Sequence, residues 1–281
     1  MSKKNTIFAP QKTTIMIEVH NLYKSFGEQD VLKGIDCTFQ PGVNNLIIGQ
    51  SGSGKTVLLK CLIGLHKPER GEILYDGRDI TKLKDNQMKE IRKEIGVLFQ
   101  GSALFDSMSV EDNVAFPLRM FSDKTVAEIR ERVDFCLERV NLKGVHQKMP
   151  SELSGGMQKR VAIARAISLN PKYLFCDEPN SGLDPQTSIL IDQLIDDITR
   201  EYNITTVVNT HDMNSVLGIG DHIIFLADGL VNWQGSKDDI LQTESPVLRK
   251  FLYAAPTLQR IAKETMKQKL QFQGKDLETK S

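Results

Sequence analysis

The run Gly49-Gln50-Ser51-Gly52-Ser53-Gly54-Lys55-Thr56 sets glycines, a lysine and a hydroxyl at GxxxxGK[ST] spacing. Glycine admits backbone angles and close approaches that a side chain forbids, so successive N–H groups of such a loop can turn inward on phosphate oxygens. Lys55 would carry a point charge to β- and γ-phosphates, and the Thr56 hydroxyl would take one position around Mg²⁺. A second candidate is the adjacent pair Asp177-Glu178. Asp177 would hold Mg²⁺, directly or through water, while Glu178 would polarise an attacking water, since the two tasks are separate in phosphoryl transfer. His211, within Thr210-His211-Asp212, is suited to hydrogen-bond a γ-phosphate and that water. Ser154-Gly155-Gly156 opens a helical pattern through Ala162, Ala164 and Ala166, which is either an ordinary helix cap or a second anion site.

These residues need elements that bring them together. Asn45–Ile48 reads as a buried strand delivering the glycine loop, and Thr56–Ile63 as the helix after it, the context a phosphate loop requires. Tyr173–Cys176 delivers Asp177 and Glu178, and Thr205–Asn209 delivers His211. The helical pattern Gln186–Ile198 between the last two strands is the crossover of a parallel sheet, so the fold class is α/β with the site at the C-terminal ends of its strands. Alone, an Asp-Glu turn or a single histidine would be structural; three strand ends carrying compatible chemistry favour catalysis. From about Ser102 to Ala166 there is no comparable strand, and Val126–Val140 is amphipathic at helical period, which marks an inserted helical subdomain. The catalytic domain is expected over 15–253. Residues 254–281 form a basic tail with Lys263, Lys267, Lys269, Lys275 and Lys280, and within it Thr257–Phe272 has a possible helical pattern.

Gly49 to Thr56, Gln100, Leu153 to Gln158, Leu174 to Pro179, Ser181 to Asp184 and His211 follow one another as in ATP-binding subunits of ABC transporters. They resemble that family's Walker A loop, Q-loop, signature, Walker B with its glutamate, D-loop and switch histidine. The resemblance covers Ile17 to Gly235 and implies a P-loop NTPase core, mostly parallel, with an N-terminal antiparallel β part. It also implies ATP and Mg²⁺ as cofactors, Gln100 beside the metal and the attacking water, and Asp184 near the nucleotide. Ser154, Gly155 and Gly156 would close over ATP held by a second copy of the chain, so the active form would be a homodimer. Phe26, just before Gly27, would stack on adenine, with Tyr23 the weaker alternative. Asn180 departs from the threonine common at its position and leaves every catalytic group intact.

The stretch Phe99 to Val110, continuing through Asn113 to Leu118, resembles the Mla or Mkl type of lipid-transport ATPase. In that setting the region after Gln100 receives a helix of an integral-membrane permease, for which exposed Leu104 and Phe105 would be an anchor. A lipid-binding envelope protein would be reached through the permease, and the chain would sit on the cytoplasmic face of the plasma membrane. Other cargoes, such as amino acids, metal complexes or lipoproteins for release, use the same ATP chemistry. A mechanical ATPase on DNA or ribosomes fits less well, because the chain has one cassette and no sustained heptad run.

Composition is compatible with all of this and decides little. Of 281 residues, 36 are Lys or Arg and 36 are Asp or Glu, so no net field favours nucleic acid or an anionic membrane. Cys37, Cys61, Cys136 and Cys176 form no CxxC pair and read as free thiols of a reducing compartment. No stretch approaches the roughly 20 apolar residues that span a bilayer, and no signal peptide is visible.

Overall fold

The computed structural model describes residues 16–253. The helical pattern over Thr257–Phe272 and the basic tail lie outside the described residues. The chain opens with β1 (Ile17–Phe26) and β2 (Gln29–Phe39), crosses to β3 (Asn44–Ile48) and enters α1 (Lys55–Leu62). It returns through β4 (Arg70–Tyr75) and β5 (Arg78–Asp79), then runs along α2 (Asp85–Lys93) into β6 (Ile95–Leu98). Three helices follow: α3 (Val110–Phe121), α4 (Val126–Arg139) and α5 (Gly155–Ala166). The second half holds β7 (Tyr173–Asp177), α6 (Pro185–Tyr202), β8 (Thr205–Asn209) and α7 (Met213–Ile219). It finishes with β9 (His222–Ala227), β10 (Leu230–Gly235), α8 (Lys237–Ile240) and α9 (Pro246–Leu252).

Two sheets result. One is antiparallel in the order β2-β1-β4-β5. The other has the order β10-β9-β3-β8-β7-β6, parallel from β9 to β6, with β10 antiparallel on one edge. Every residue of β3, β7 and β8 is buried. The period-2 alternation of a strand divides them between two cores. Leu46, Ile48, Leu174, Cys176 and Val208 pack with the helices α3 to α6, while Ile47, Tyr173, Phe175 and Val207 pack with α1 and the antiparallel sheet. A sheet covered on both faces needs continuous apolar strands, which is why these three are visible as apolar runs.

The helices start where their sequences cap them. Ser109 accepts from the Asp112 N–H, and Thr125 with Glu128 forms a reciprocal capping box. Helix α6 runs to Tyr202, one turn past the expected Ile198, and ends at Asn203 in the left-handed region (φ 52). Leu104 is half-buried against the larger core rather than exposed, whereas Phe105 keeps 40% exposure with its ring against Phe116. No helix among the described residues is long and apolar enough to cross a membrane. All four cysteines are free and buried.

The approach of α5 to β6 depends on Gly96. A Cβ there would stand 2.4 Å from the Ala166 carbonyl oxygen at the end of α5, a separation that forces helix and strand apart. Gly96→Ala is therefore expected to destabilise the fold by about 1–3 kcal/mol in chemical denaturation, the usual range for overpacking. A midpoint equal to wild type would show that the contact yields freely.

Candidate functional site

The site is built where three parallel strands end. After β3 the chain turns through Gly49 (φ 153), Gly52 (φ 82) and Gly54 (φ 103) into the N-terminus of α1. Glycine is enforced at Gly49, where a Cβ would lie 2.3 Å from the Leu226 carbonyl oxygen. The loop is tied by Ser53 N–H donating to Gln50 O at 3.2 Å. The Lys55 ammonium folds over it, donating to Gly49 O at 2.9 Å and Gln50 O at 3.2 Å. Burial pushes the Lys55 pKa down, opposed by the charges of Glu178 and Asp177. The Ser53 hydroxyl is buried without a hydrogen-bond partner among the described residues. Such an atom at a helix N-terminus fits an anion that supplies the missing partner.

Asp177, the last residue of β7, is buried and accepts from Asn209 Nδ2 at 3.0 Å and from the Thr56 hydroxyl at 3.4 Å. Thr56 and Asp177 thus present hard oxygen donors to one spot. That set fits Mg²⁺, which takes one or two protein carboxylates and fills its octahedron with phosphate oxygens and water. Glu178 follows with a left-handed backbone (φ 48), a conformation that costs a non-glycine residue about 1–3 kcal/mol and concentrates at functional sites. Its carboxylate oxygen lies 2.8 Å from Nδ1 of His211, which leaves β8 by way of Thr210. Glu178 is largely covered and His211 open, with side-chain exposures of 16% and 69%.

Part of this set lines a cavity of about 930 Å³, Ser53 and Asp177 not being among its lining residues. Gly49, Gln50, Ser51, Gly52, Gly54, Lys55, Thr56, Gln100, Glu178 and His211 all face it. Gln100 enters from the end of β6 and donates from Nε2 to the Ser181 hydroxyl at 3.1 Å. Phe26 is not part of this lining. It stands 46% exposed beside it, edge-on to His66 at 5.2 Å, and its strand partner is Gln29, which does line the cavity. Tyr23 is engaged elsewhere, with the Arg70 guanidinium 4.2 Å over its ring.

Two groups of expected residues stand away from the cavity in the single chain. Ser154 caps α5 by accepting from Met157 N–H at 3.3 Å, and with Gly155 it is exposed. Asp184 caps α6, accepting from Thr187 N–H at 3.0 Å, and is also exposed. Among the described residues, neither group lines the cavity that holds the glycine loop. The expected role of Ser154 to Gly156 therefore requires a second molecule.

Several lining residues carry no sequence signal of their own. Gln29 and Val31 come from the β1–β2 hairpin, Met213 from α7 and Phe251 from α9, whose ring sits 5.3 Å from Phe225. Asn209, which orients Asp177, could have been found as a polar residue closing a buried apolar strand. Asn180 donates to Asp192 Oδ1 at 2.8 Å and to the Ser215 hydroxyl at 3.0 Å, joining the turn after Glu178 to α6 and α7. Burial pushes the Asp192 carboxyl above the usual carboxylate range.

Residues 32–181 match the family model described as ABC transporter. A probable ribonucleotide transport ATP-binding protein, mkl, of Mycobacterium tuberculosis is 42% identical over 238 residues, 85% of this chain and 66% of the relative. The chain thus spans just under two thirds of that relative's length. The intermembrane phospholipid transport system ATP-binding protein MlaF of Haemophilus influenzae is 41% identical over 237 residues, 84% of this chain and 90% of the relative. Among solved structures, the dimeric bacterial ABC transporter cassette MJ0796 matches with a TM-score of 0.73 and 34% identity, over 79% of this chain and 98% of that one. A second dimeric structure of that cassette is a post-hydrolysis state with ADP and Pi.

Among the described residues that line the cavity, Lys55 carries the one ammonium. Lys55→Ala is expected to weaken nucleoside triphosphate binding by at least about tenfold in equilibrium titration, as loss of a charge-assisted contact implies. Unaltered affinity would dissociate the loop from phosphate binding.

Proposed function

The chain belongs to the ABC transporter family of ATP-binding cassettes, and from that premise we propose that it is the ATP-hydrolysing subunit of a membrane lipid transporter. The convergence of three strand ends on one cavity, with Lys55, Thr56, Glu178 and His211 on its wall, Asp177 hydrogen-bonded to Thr56 and His211 beside Glu178, carries the hydrolysis part of this reading. In it, the inward N–H groups of Gly49 to Lys55 and the Lys55 ammonium hold the β- and γ-phosphates. Thr56, Asp177 and Gln100 would hold Mg²⁺, which would supply positive charge to the phosphate oxygens. Glu178 accepts hydrogen-bonding from the attacking water and polarises it, while His211, held by Glu178, faces the γ-phosphate. Phe26 offers its exposed ring to adenine at the hairpin beside the cavity.

Exposed Ser154 and Gly155, with Gly156 buried behind them against Thr187, would present the N-terminus of α5 to ATP bound by a second copy, and Asp184 is likewise exposed. The dimeric state of the similar cassette supports this arrangement. ATP that contacts both copies only when they are closed shifts the equilibrium by its differential affinity for that state. Closure then drives the permease, and hydrolysis resets it. An apolar groove of about 430 Å³ between β6 and α3, lined by Val97, Phe99, Phe105, Phe116 and Phe121, supports permease docking after Gln100. On this reading the chain sits peripherally on the cytoplasmic face, with a lipid-binding envelope protein reached through the permease.

Phospholipid is favoured as cargo because the phospholipid-system relative is matched over 90% of its length. The mycobacterial relative named for ribonucleotide is matched over 66%, which leaves a third of it without counterpart here.

Glu178→Gln separates binding from hydrolysis. The variant is expected to retain ATP affinity, accumulate a dimer on size-exclusion chromatography with ATP, and lose at least about 100-fold in turnover, as removal of a general base does. Wild-type turnover would strip Glu178 of its role. For the cargo, the chain purified from detergent-solubilised membranes is expected to bring down an integral permease carrying phospholipid in mass spectrometry. Recovery with ribosomes or DNA alone would overturn the transporter reading.

A further inference from the structure

Helix α5, whose N-terminus holds Ser154 to Gly156, carries one buried and one half-buried cation on the side facing the end of β6. Lys159 is 4% exposed, and its ammonium donates to the main-chain oxygen of Gln100. Arg165 donates from its two terminal nitrogens to Ala103 O at 2.7 Å and Ser102 O at 2.8 Å. Ser102 and Ala103 both have left-handed backbones, φ 62 and φ 48. The segment that leads Gln100 into the cavity is therefore a tight turn with three carbonyls facing α5, each met by a cation of that helix.

Satisfying a neutral carbonyl does not require a full charge, and burying an ammonium is unfavourable unless other charges compensate. Gln100 O is its one hydrogen-bond acceptor among the described residues, and no carboxylate lies within ion-pair distance of it. Desolvation pushes the Lys159 ammonium below its ordinary pKa, opposed in turn by Cys176, Asp177 and Glu178. The lysine thus joins helix α5 to the backbone of Gln100. Its helix is the one that reaches across to the second copy.

We propose that Lys159 is a positioning residue for ATP hydrolysis: through the Gln100 carbonyl it sets the Gln100 side chain in the cavity and ties that setting to helix α5. This rests on the hydrolytic reading above. Lys159 touches no phosphate in this arrangement and acts entirely through Gln100.

The test uses the full chain with Mg-ATP. Lys159→Met is expected to lower kcat by about tenfold or more, to leave the KM for ATP within about twofold, and to raise the Mg²⁺ concentration for half-maximal activity. Lys159→Arg should recover most of the loss. In a Gln100→Ala background, Lys159→Met should cost less than about twofold further, since two residues acting as one unit are non-additive. Independently of activity, hydrogen exchange of a peptide spanning 99–105 should be faster in Lys159→Met than in wild type. If Lys159→Met does not fold, Lys159→Gln replaces it in each measurement. Wild-type kcat in the variant, a change confined to KM, or full additivity with Gln100→Ala would each overturn the proposal. A wild-type chain that neither binds nor hydrolyses ATP would instead overturn the function on which it rests, a result distinct from an active wild type indifferent to Lys159.

Discussion

The parallel register of β3, β8 and β7 is the constraint on which the site depends. Ile47 lies opposite Asn209, and Asn209 lies opposite Asp177, so the strand that enters the glycine loop and the strand that presents the carboxylates stop at one level. A slip of one residue would turn every side chain of a strand to the other face. It would exchange Phe175 and Cys176 between two cores of different shape and carry Asp177 away from Thr56. Burial on both faces forbids that slip. The chemistry at the strand ends is thereby held by apolar packing along the strands.

Around that edge the polar residues act as ties between elements. Asn209 joins β8 to Asp177, His211 meets Glu178, and Asn180 reaches both Asp192 on α6 and Ser215 on α7. Asn180 stands where threonine is common in the family, and its amide gives the turn after Glu178 two donors directed at different helices. The left-handed backbone of Glu178 is maintained in this web, with its N–H on Asn209 O at 3.0 Å. Burial makes these hydrogen bonds count, because a broken one leaves a polar group without water to replace its partner.

Legibility in the sequence followed the same physics. Strands β3, β7 and β8 were visible because two-sided burial makes them continuous apolar runs, and the residues just beyond them were visible as site candidates. Strand β6 is four residues long and interrupted by Gly96, and β1 and β2 alternate between buried and exposed positions with bulges, so they gave no comparable run. Within the site, residues next to a strand end could be assigned a task from position alone. Lys159 could not, since its partner is 59 residues away and only the packing of α5 on β6 brings them together. Phe251 reached the cavity from a C-terminal helix for the same reason. Ser154 was legible in the sequence as a helix cap, Asp184 was not, and in the single chain both are caps.

The burial of the cysteines has a consequence for how this molecule can be watched. Burial raises all four thiols, Cys136 to about 11 and Cys61 to about 12, so at neutral pH the thiolate that alkylating reagents attack is scarce as well as enclosed. The native surface is silent to thiol chemistry. A single cysteine introduced on the exposed outer surface would take up a fluorophore or spin label at one place, with the natural cysteines left intact, and the distance between two copies could be followed directly.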